Sequence, residues 1–466
     1  MAENALIIGA GISGISCAIT LINKGFVGQI TIIEQGASHK ARLCSVDSMG
    51  ICTNCSPCKT ISGFGGSVHY GDTVKLSCFP SGKRLINTLG GSRSEEFQSL
   101  ALSYFSDDVL KFITPSKENS LFIEKEYPIS ILHSKKAKGI LDEWCLKLSN
   151  KPNVKVLFNC EVTNIEKQNN TFSVSYKEKR EHKEIYADTV VLCMGRAGFR
   201  KMKQFAREIN IVSKPPQVSI GFRFMMPNYI LQEVCNIHPD FKTSLNHNGY
   251  KYKTFCFSAG DIGGRIKHAN HGGFMLIDGH SITDDETPSP LSNFAILSQL
   301  RDSSGNFYDY DWIENNVILP YIELNTTHKG KPVLQSYNDF KVGKVTKLSN
   351  EHLAKFNSQI YGVGNLASLI PSKEQHIGFC NSLEELITEF CRISEIKEPL
   401  SNVLAQISVL GLELESLWDE IELSQDMETN IPSLFVTGDS TGIAQGILQA
   451  SVGGIAAAYG ILKDSL

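Results

Sequence analysis

The chain has little net charge and lacks the long apolar runs of membrane proteins. Its 45 basic and 49 acidic side chains nearly balance, which gives a formal net charge of −4. That balance argues against a protein whose main partner is nucleic acid. No uninterrupted apolar stretch reaches the roughly 18 residues that suggest a transmembrane helix, so we expect no membrane span.

Export signals and repeats are missing as well. The first predicted strand begins within about five residues of Met1, which leaves no room for a targeting segment. Thirteen cysteines without such a segment indicate a reducing compartment, so we expect a cytoplasmic protein. The absence of internal repeats excludes a solenoid. The 466 residues, 42% of them hydrophobic and 20% charged, suffice for two or three globular domains.

The first 35 residues follow the order strand, glycine-rich turn, helix, strand and acid. Gly9 permits a tight turn, Gly11 lets the backbone approach a pyrophosphate, and Gly14 lets the helix pack on the strand. Glu34 follows Gly14 by about twenty residues, the spacing of a contact to an adenosine ribose. We predict a dinucleotide site with its phosphates at the helix N-terminus. Its predicted contacts are Gly9, Ala10, Gly11, Ile12, Ser13, Gly14, Glu34 and Gln35.

A second pair of glycine and acid lies near the C-terminus. The segment IPSLFVTGDSTG places Gly438 and Asp439 after an apolar strand, before a small-residue helix predicted over 442–462. An acid at the carboxyl end of such a strand lies at the crevice where open α/β sheets bind ligands. The alternative role of Asp439 is to cap the helix.

The remaining chain predicts a mixture of helices and strands. Periodicity favours helices over 93–112, 135–150, 382–393 and 399–421. The segment from 154 to 176 reads as strand, turn and strand around Asn169 and Asn170, and residues 190–194 form a buried strand ending at Gly195. Residues 36–92 read as loop with short elements, and residues 201–430 as a mixed, inserted substrate domain.

Segments 1–35, 155–195 and 432–462 together resemble the FAD domain of the glutathione-reductase-type flavoprotein superfamily. The resemblance implies an α/β fold, in which a Rossmann-like FAD-binding domain is discontinuous in sequence and carries an inserted α+β substrate domain. The FAD-binding domain would comprise 1–92, 93–200 with helices and adenine-side strands, and 431–466. The inserted domain would comprise 201–430.

The same resemblance implies roles for individual residues. The main chain of Val162 would lie against the adenine, Gly195 would lie near the dinucleotide, and Asp439 would bond the ribityl or pyrophosphate portion. The N–H groups around Gly446 and Ile447 would face the flavin pyrimidine edge. Arg42 would face the FAD phosphates, unless it is a solvated loop arginine.

The segment from 50 to 77 contains Cys52, Cys55 and Cys58 in C-x2-C-x2-C spacing, followed by the flexible glycines Gly65 and Gly66. This segment, GRAGF at 195–199, VSIGFRFMMP at 218–227 and the text at 438–458 resemble the uncharacterised FAD-utilising dehydrogenases. The resemblance covers nearly the whole chain. It implies an FAD-dependent oxidoreductase that transfers hydride between a small organic substrate and flavin N5.

One stretch departs from that pattern. Relatives usually show Gly-Gly-Ala-Gly and Ser-Asp-Gly-Lys where this chain has GGSVHYGDTVK. We therefore expect His69 and Tyr70 to alter the pocket near the flavin.

The cysteine triad has three interpretations. Cys52, Cys55 and Cys58 could ligate an iron–sulfur cluster, with Cys44 or Cys78 as fourth ligand, because Ser62 stands where the ferredoxin run has its next cysteine. Two of them could form a redox disulfide that exchanges electrons with flavin. The third interpretation is structural, as buried thiols or as a zinc site.

The sequence is also compatible with two other functions. One is a redox relay or sensor flavoprotein that uses the triad, and the other is an RNA-modifying flavoprotein. No separate NAD(P)H domain is evident, so electrons would come from NAD(P)H bound transiently or from an electron-transfer protein.

His280 could donate a proton near the flavin or be a hydrogen-bonded histidine. Arg223 could face an anionic substrate or lie in solvent at a sheet edge.

Two cysteines and two histidines complete the candidates. Cys193 and Cys256 lie in apolar runs and are expected in the core. His268 and His271 lie in a glycine-rich stretch. The segment GVGN at 362–365 lacks the third glycine and the following acid, so we reject it as a second nucleotide motif.

Overall fold

The architecture comes from a computed structural model of the chain. It describes residues 4–49, 52–69, 73–105, 110–114, 122, 125–271, 274–282, 287–302, 304–347 and 361–463.

The strands are, in chain order, β1 Asn4–Ile8, β2 Gln29–Glu34, β3 Val74–Ser77, β4 Ile129–Leu132, β5 Val154–Phe158, β6 Cys160–Gln168, β7 Thr171–Glu178, β8 Glu181–Ala187, β9 Thr189–Leu192, β10 Ser213–Lys214, β11 Ser219–Pro227, β12 Ser244–His247, β13 Tyr250–Ser258, β14 Gly264–His271, β15 Phe274–Ser281, β16 Leu291–Gln299, β17 Val333–Ser336, β18 Gly362–Val363, β19 Ser408–Glu415, β20 Glu420–Ile421 and β21 Leu434–Val436.

The α-helices are α1 Ile12–Asn23, α2 Ser45–Met49, α3 Lys83–Leu89, α4 Gly91–Tyr104, α5 Ser134–Ser149, α6 Phe199–Glu208, α7 Gln232–Ile237, α8 Tyr310–Ile313, α9 Leu319–Thr327, α10 Tyr337–Lys341, α11 Lys373–Ile393, α12 Leu400–Ala405 and α13 Ile447–Lys463. A π-helical turn, Glu314–Ile318, joins α8 to α9. Short 3-10 turns span His39–Ala41, Arg196–Gly198, Asn228–Ile230, Leu366–Leu369 and Gly438–Thr441. Each helix within the described residues is too short or too polar to cross a membrane.

A five-stranded parallel sheet has the order β21-β9-β1-β2-β5, so the two ends of the sequence meet in it. Strands buried on both faces must be apolar throughout, and Leu6, Ile7 and Ile32 are almost wholly buried. Helices α1 and α13 pack together so closely that a Cβ at Gly454 would lie 2.0 Å from the Ser13 carbonyl oxygen. This contact holds the C-terminal helix beside the first glycine-rich turn.

A three-stranded antiparallel sheet of β6, β7 and β8 lies along the chain between β5 and β9, two strands of the parallel sheet. The predicted turn at Asn169 and Asn170 is confirmed, since β6 ends at Gln168 and Asn169 adopts a left-handed φ of 56°. A further left-handed residue, Asn159, separates β5 from β6. Strand β6 lies at the edge of its sheet, so part of its backbone can reach another group.

The second large sheet has seven strands in the order β12-β13-β16-β11-β19-β17-β18. Its pairs are antiparallel except β17 and β18, which are parallel. Helix α11 covers this sheet with a core rich in aromatic rings, where Phe222 and Phe390 are wholly buried. The chain therefore has a mixed α/β fold, with one parallel sheet and one mainly antiparallel sheet.

Several predicted helix boundaries were wrong. The segment 399–421 contains the short helix α12 followed by β19, because its Leu-rich alternation is buried at the centre of the second sheet, where tertiary packing overrides helix propensity. The helix predicted over 93–112 ends at Tyr104, and residues 110–112 are not helical. The C-terminal helix starts at Ile447 rather than 442, since Gly442 and Gly446 have left-handed φ values of 75° and 117°.

Candidate dinucleotide site

A cavity of about 850 Å³ lies at the carboxyl edge of the parallel sheet. The loops after β1, β2, β9 and β21 form one side of its wall, and the β14–β15 hairpin and β13 form the opposite side. The carboxyl edge of an open parallel sheet is where α/β proteins bind ligands. Residues that are distant in sequence therefore converge on one space.

Most of the predicted contacts line this cavity. The lining residues among them are Gly9, Gly11, Ile12, Ser13, Glu34, Gln35, Gly66, Val162, Gly195, Gly438, Asp439, Gly446 and Ile447. Four predicted contacts, Ala10, Gly14, Arg42 and Gly65, lie behind the wall instead. These four residues support the backbone of the cavity wall.

The first glycine-rich turn is shaped by two close approaches. A Cβ at Gly9 would lie 2.3 Å from the Cys193 carbonyl oxygen, and a Cβ at Gly14 would lie 2.1 Å from the Gly9 carbonyl oxygen. Gly14 thus serves packing of helix on strand, as the sequence predicted, and does not face the cavity. Helix α1 starts without a capping side chain and without an acid in its first turn. Its first N–H groups are therefore available to an anion in the cavity.

The Glu34 carboxylate holds the turn and the next loop together. Oε2 accepts the Ala10 N–H at 2.8 Å, and Oε1 accepts the N–H groups of Gly36 and Gly63 at 2.7 and 2.9 Å. Because a carboxylate oxygen can accept two hydrogen bonds, Oε2 retains capacity for a ligand hydroxyl. Glu34 is thus both a structural link and a cavity-lining acceptor.

The loop that follows the cysteines closes against the first turn. The Gly65 N–H donates to the Ala10 carbonyl at 2.8 Å, and a Cβ at Gly66 would lie 2.9 Å from the Gly11 Cα. Gly66 also has a left-handed φ of 54°. Only glycine fits this contact without backbone movement.

Arg42 does not face the cavity, which corrects the prediction that it would reach the phosphates. Its side chain is wholly buried, and its guanidinium donates to five carbonyl oxygens of the loop between residues 59 and 68. The acceptors are Lys59, Thr60, Phe64, Gly66 and Val68. The alternative of a solvated arginine is also wrong. Arg42 fixes the shape of the loop that carries Gly65 and Gly66.

We predict that Arg42→Lys destabilises the protein by about 2–4 kcal/mol, because one ammonium cannot replace a five-donor fork and leaves buried carbonyls unpaired. Chemical denaturation measures the loss, and hydrogen exchange should show it concentrated in residues 59–68. Arg392→Lys is the matched control, since the Arg392 side chain is 60% exposed and a lysine there can still pair with Glu389, so its stability should change by less than about 1 kcal/mol. Equal stability of the two variants would contradict the role given to Arg42.

Asp439 meets an arginine that the sequence did not single out. Arg196 Nε donates to Asp439 Oδ2 at 3.2 Å, and its Nη1 lies 3.7 Å from Asp278 Oδ2 across the cavity. Burial raises the pKa of Asp439 above its usual range, and Arg196 opposes that shift. Burial also acts to raise the pKa of Asp278, but Arg196 and Arg223 lower it overall. Arg196 thus joins the parallel-sheet wall to the β14–β15 hairpin.

The cysteine triad divides in two. Cys55 and Cys58 line the cavity, whereas Cys52 does not. All thirteen cysteines are free thiols, and no group of three or more His, Cys, Asp or Glu in the described part of the chain is placed to hold a metal ion. Within the described residues, the three cysteines together with Cys44 or Cys78 therefore do not form a ligand set for an iron–sulfur cluster or for a zinc ion.

His69 and Lys267 connect the cysteine segment to the β14–β15 hairpin. His69 Nε2 donates to the Arg42 carbonyl at 2.7 Å, which leaves Nδ1 to accept from Lys267 Nζ at 3.4 Å. Lys267 Nζ also lies 3.1 Å from Asp47 Oδ1. His69 and Lys267 line the cavity, as the departure from the family pattern led us to expect of His69. Tyr70 lies outside the described residues.

Arg223 has neither of its predicted positions. It is wholly buried on β11 and donates to the Glu413 carboxylate on β19, with Nε at 2.6 Å. It also donates to Asn293 Oδ1 at 2.7 Å and to the Cys256 carbonyl at 3.0 Å. The pair lies inside the second sheet and forms no part of the cavity wall.

Of the remaining candidate histidines and cysteines, some line the cavity and others lie in the protein core. His280 lines the cavity, and its Nε2 accepts the Thr73 N–H at 3.2 Å. Cys193 is buried as expected and also lines the cavity, whereas Cys256 is only half-buried there. Burial lowers the pKa of His268 to about 4 and that of His271 to about 3, so both are neutral near pH 7. The rejected 362–365 segment begins with the short strand β18.

Comparisons with known proteins name no family. The chain matches no protein-family model, and no curated protein matches it. Similar solved structures include CtdE in complex with FAD and substrate 4, at 13% identity and a TM-score of 0.36, covering 98% of this chain and 80% of that one. A flavoprotein/dehydrogenase from Cytophaga hutchinsonii has 10% identity and a TM-score of 0.40, covering 99% and 79%. The flavin-dependent halogenase CmlS has 10% identity and a TM-score of 0.42, covering 100% and 60%. These scores are too low for the likenesses to support a conclusion about this chain.

Proposed function

We propose that the protein is an FAD-dependent oxidoreductase that transfers hydride between a small organic substrate and flavin N5. The observation that carries this proposal is the convergence on one cavity of an uncapped helix N-terminus, a close-packed glycine turn and two acids at strand ends. The FAD-binding part would comprise 1–92, 93–200 and 431–466, and the substrate part 201–430.

The cavity wall suits a dinucleotide at the first turn. A Cβ at Gly11 would meet only the Gly66 Cα, at 3.9 Å, so the absence of that side chain serves the cavity and not the packing of the protein. At Gly195 no atom lies within 4 Å of a Cβ. Backbone in contact with a pyrophosphate requires this lack of side chains beside free N–H groups.

The acids suit the sugar portions of FAD. Glu34 Oε2, held by the Ala10 N–H, would accept a ribose hydroxyl. The Asp439 carboxylate, oriented by Arg196, would accept from the ribityl chain. The exposed edge of β6 would present the Val162 main chain to the adenine. Each contact uses an acceptor or an edge that the protein itself holds in place.

The N-terminus of α13 suits the opposite end of the cofactor. Gly446 and Ile447 line the cavity, and the Gly446 carbonyl accepts the Ala450 N–H at 2.9 Å, which starts the helix. The N–H groups at this end carry partial positive charge. A bound flavin would supply hydride exchange at N5, and the partial positive charge at the N-terminus of α13 would favour its reduced form.

The second sheet and the hairpin supply the substrate side. Phe255 and Ser258 of β13 and His280 of β15 line the cavity opposite the parallel sheet, and Thr73, just before β3, lines it beside His280. They combine an aromatic face with hydroxyl and imidazole groups, as small-molecule sites do. His280 would hold or donate a proton at Nδ1, because Nε2 already accepts the Thr73 N–H.

Purification under mild conditions followed by absorption spectroscopy tests the proposal. We expect flavin bands with about one FAD per chain, released on denaturation and identified by chromatography. Protein stripped of flavin should rebind FAD, and saturating FAD should raise its stability by about 2.7 kcal/mol at one hundred times Kd. Anaerobic bleaching by candidate small substrates would then identify the reductant. A purified protein that contains no flavin and also fails to bind added FAD would contradict the proposal.

A further inference from the structure

We propose that Cys55 and Cys58 form a dithiol–disulfide pair that exchanges two electrons with the flavin. The proposal rests on the proposed function, because the flavin is the partner in the exchange. It selects one of the three interpretations of the triad and assigns Cys52 no part in the reaction.

Cys55 and Cys58 differ from Cys52 in their position relative to the cavity. Cys55 and Cys58 line the cavity that is proposed to hold FAD, and Cys52 does not. The pair has the spacing Cys-Ser-Pro-Cys, and C-x-x-C spacing is the arrangement of many redox-active pairs. The two reacting sulfurs and the flavin would thus share one cavity.

The loop that carries the pair is held in place from three sides. Arg42 binds five of its carbonyl oxygens, and Gly65 and Gly66 rest on the first glycine-rich turn. From the hairpin, Asn270 Nδ2 donates to Asn54 Oδ1 at 2.5 Å. A fixed loop keeps the sulfurs in one position relative to the flavin, which a surface thiol would not achieve.

The two thiols differ in environment. Cys58 Sγ accepts the Asn270 N–H at 3.3 Å, and Cys55 Sγ accepts the Lys59 N–H at 3.5 Å. Backbone N–H donors favour the thiolate, although burial raises the pKa of Cys58 overall. Cys55 is the more exposed of the two. Cys55 is therefore the thiol that an external disulfide or thiol meets first, and Cys58 is its buried partner.

The reaction balances without another reagent. Two S–H bonds break and one S–S bond forms, and two electrons and two protons pass to the oxidised isoalloxazine ring. The reverse direction reduces the disulfide with reduced flavin. A couple of this kind obeys two-electron energetics, so a difference of about 30 mV between the two potentials corresponds to a tenfold change in the equilibrium constant.

Anaerobic reductive titration of the air-oxidised holoprotein tests the pair. We expect the wild type to take up twice as many electrons per flavin as Cys55→Ser and Cys58→Ser, because each variant keeps the flavin but loses the disulfide. Cys52→Ser is the matched control and should behave as the wild type. Thiol counting and peptide mass spectrometry on the wild type, before and after reduction, should show one Cys55–Cys58 disulfide without any variant.

Equal electron uptake by wild type and both variants, with no disulfide in the peptide map, would overturn the pair. Iron or zinc bound stoichiometrically and lost in all three cysteine variants would also overturn it, in favour of a metal site. A flavin spectrum in either case leaves the proposed function standing. Protein without flavin would instead remove the proposed function and the pair's electron partner together.

Discussion

Gly11→Ala is expected to yield a stable, folded protein that has lost most of its affinity for FAD. The Gly11 φ is −72°, which alanine adopts readily, and the new Cβ would meet only the Gly66 Cα, at 3.9 Å. The methyl group would instead occupy the cavity where the pyrophosphate approaches the backbone. We expect at least about a tenfold increase in Kd, measured by FAD titration of stripped protein, with little change in the denaturation midpoint of the apoprotein.

Two glycine variants make this result specific. Gly91→Ala should leave both stability and FAD affinity unchanged, since no atom lies within 4 Å of its Cβ and it does not line the cavity. Gly14→Ala should instead damage the fold, because its Cβ would lie 2.1 Å from the Gly9 carbonyl oxygen. A Gly11→Ala protein that binds FAD as tightly as the wild type would place the cofactor elsewhere.

Glu413→Ala is expected to destabilise the protein by about 3–5 kcal/mol, because it removes the carboxylate that Arg223 binds directly and leaves the buried guanidinium facing a more distant one, Asp278 at 3.9 Å. Arg223 and Glu413 are both almost wholly buried, with side-chain exposures of 0% and 4%. The loss should appear as a lower midpoint in guanidinium chloride with an unchanged slope. A loss on this scale is a large fraction of the stability of a typical protein.

The double variant Arg223→Met with Glu413→Leu distinguishes the cause. It removes both charges and keeps the volume filled, so its stability should approach that of the wild type. Glu178→Ala is the exposed control, because its partner Lys183 is also exposed and the pair should contribute less than about 1 kcal/mol. A double variant as unstable as Glu413→Ala would show that the uncompensated charge of Arg223 does not cause the loss.

The sequence predicted the parallel half of the fold because its signals are local. The order of strand, three glycines, helix and acid from 4 to 34 appears in the structure as predicted. The pairing of β21 with β9 also brings Gly438 and Asp439 to the same edge of the sheet. Each of these features depends on a few neighbouring residues whose backbone requirements are specific.

Predictions failed where long-range contacts decide the outcome. A guanidinium such as that of Arg42 binds carbonyl oxygens as readily as phosphates, and only the fold of residues 59–68 selects the carbonyls. Arg196 and Asp278 meet across the cavity from segments about eighty residues apart, with no shared motif. Arg223 was expected either to face an anionic substrate or to lie in solvent at a sheet edge, because sequence alone does not show that β11 is central or that Glu413 lies beside it.

A crystal structure of the protein with FAD is the most direct test of the central claim, that this cavity holds the cofactor in one orientation. We predict density for the pyrophosphate at the N-terminus of α1, for the adenosine ribose at Glu34, and for the isoalloxazine ring between the N-terminus of α13 and the β14–β15 hairpin. FAD bound in the reverse orientation, or outside the cavity, would contradict the proposed roles of Gly11, Glu34 and Asp439 together.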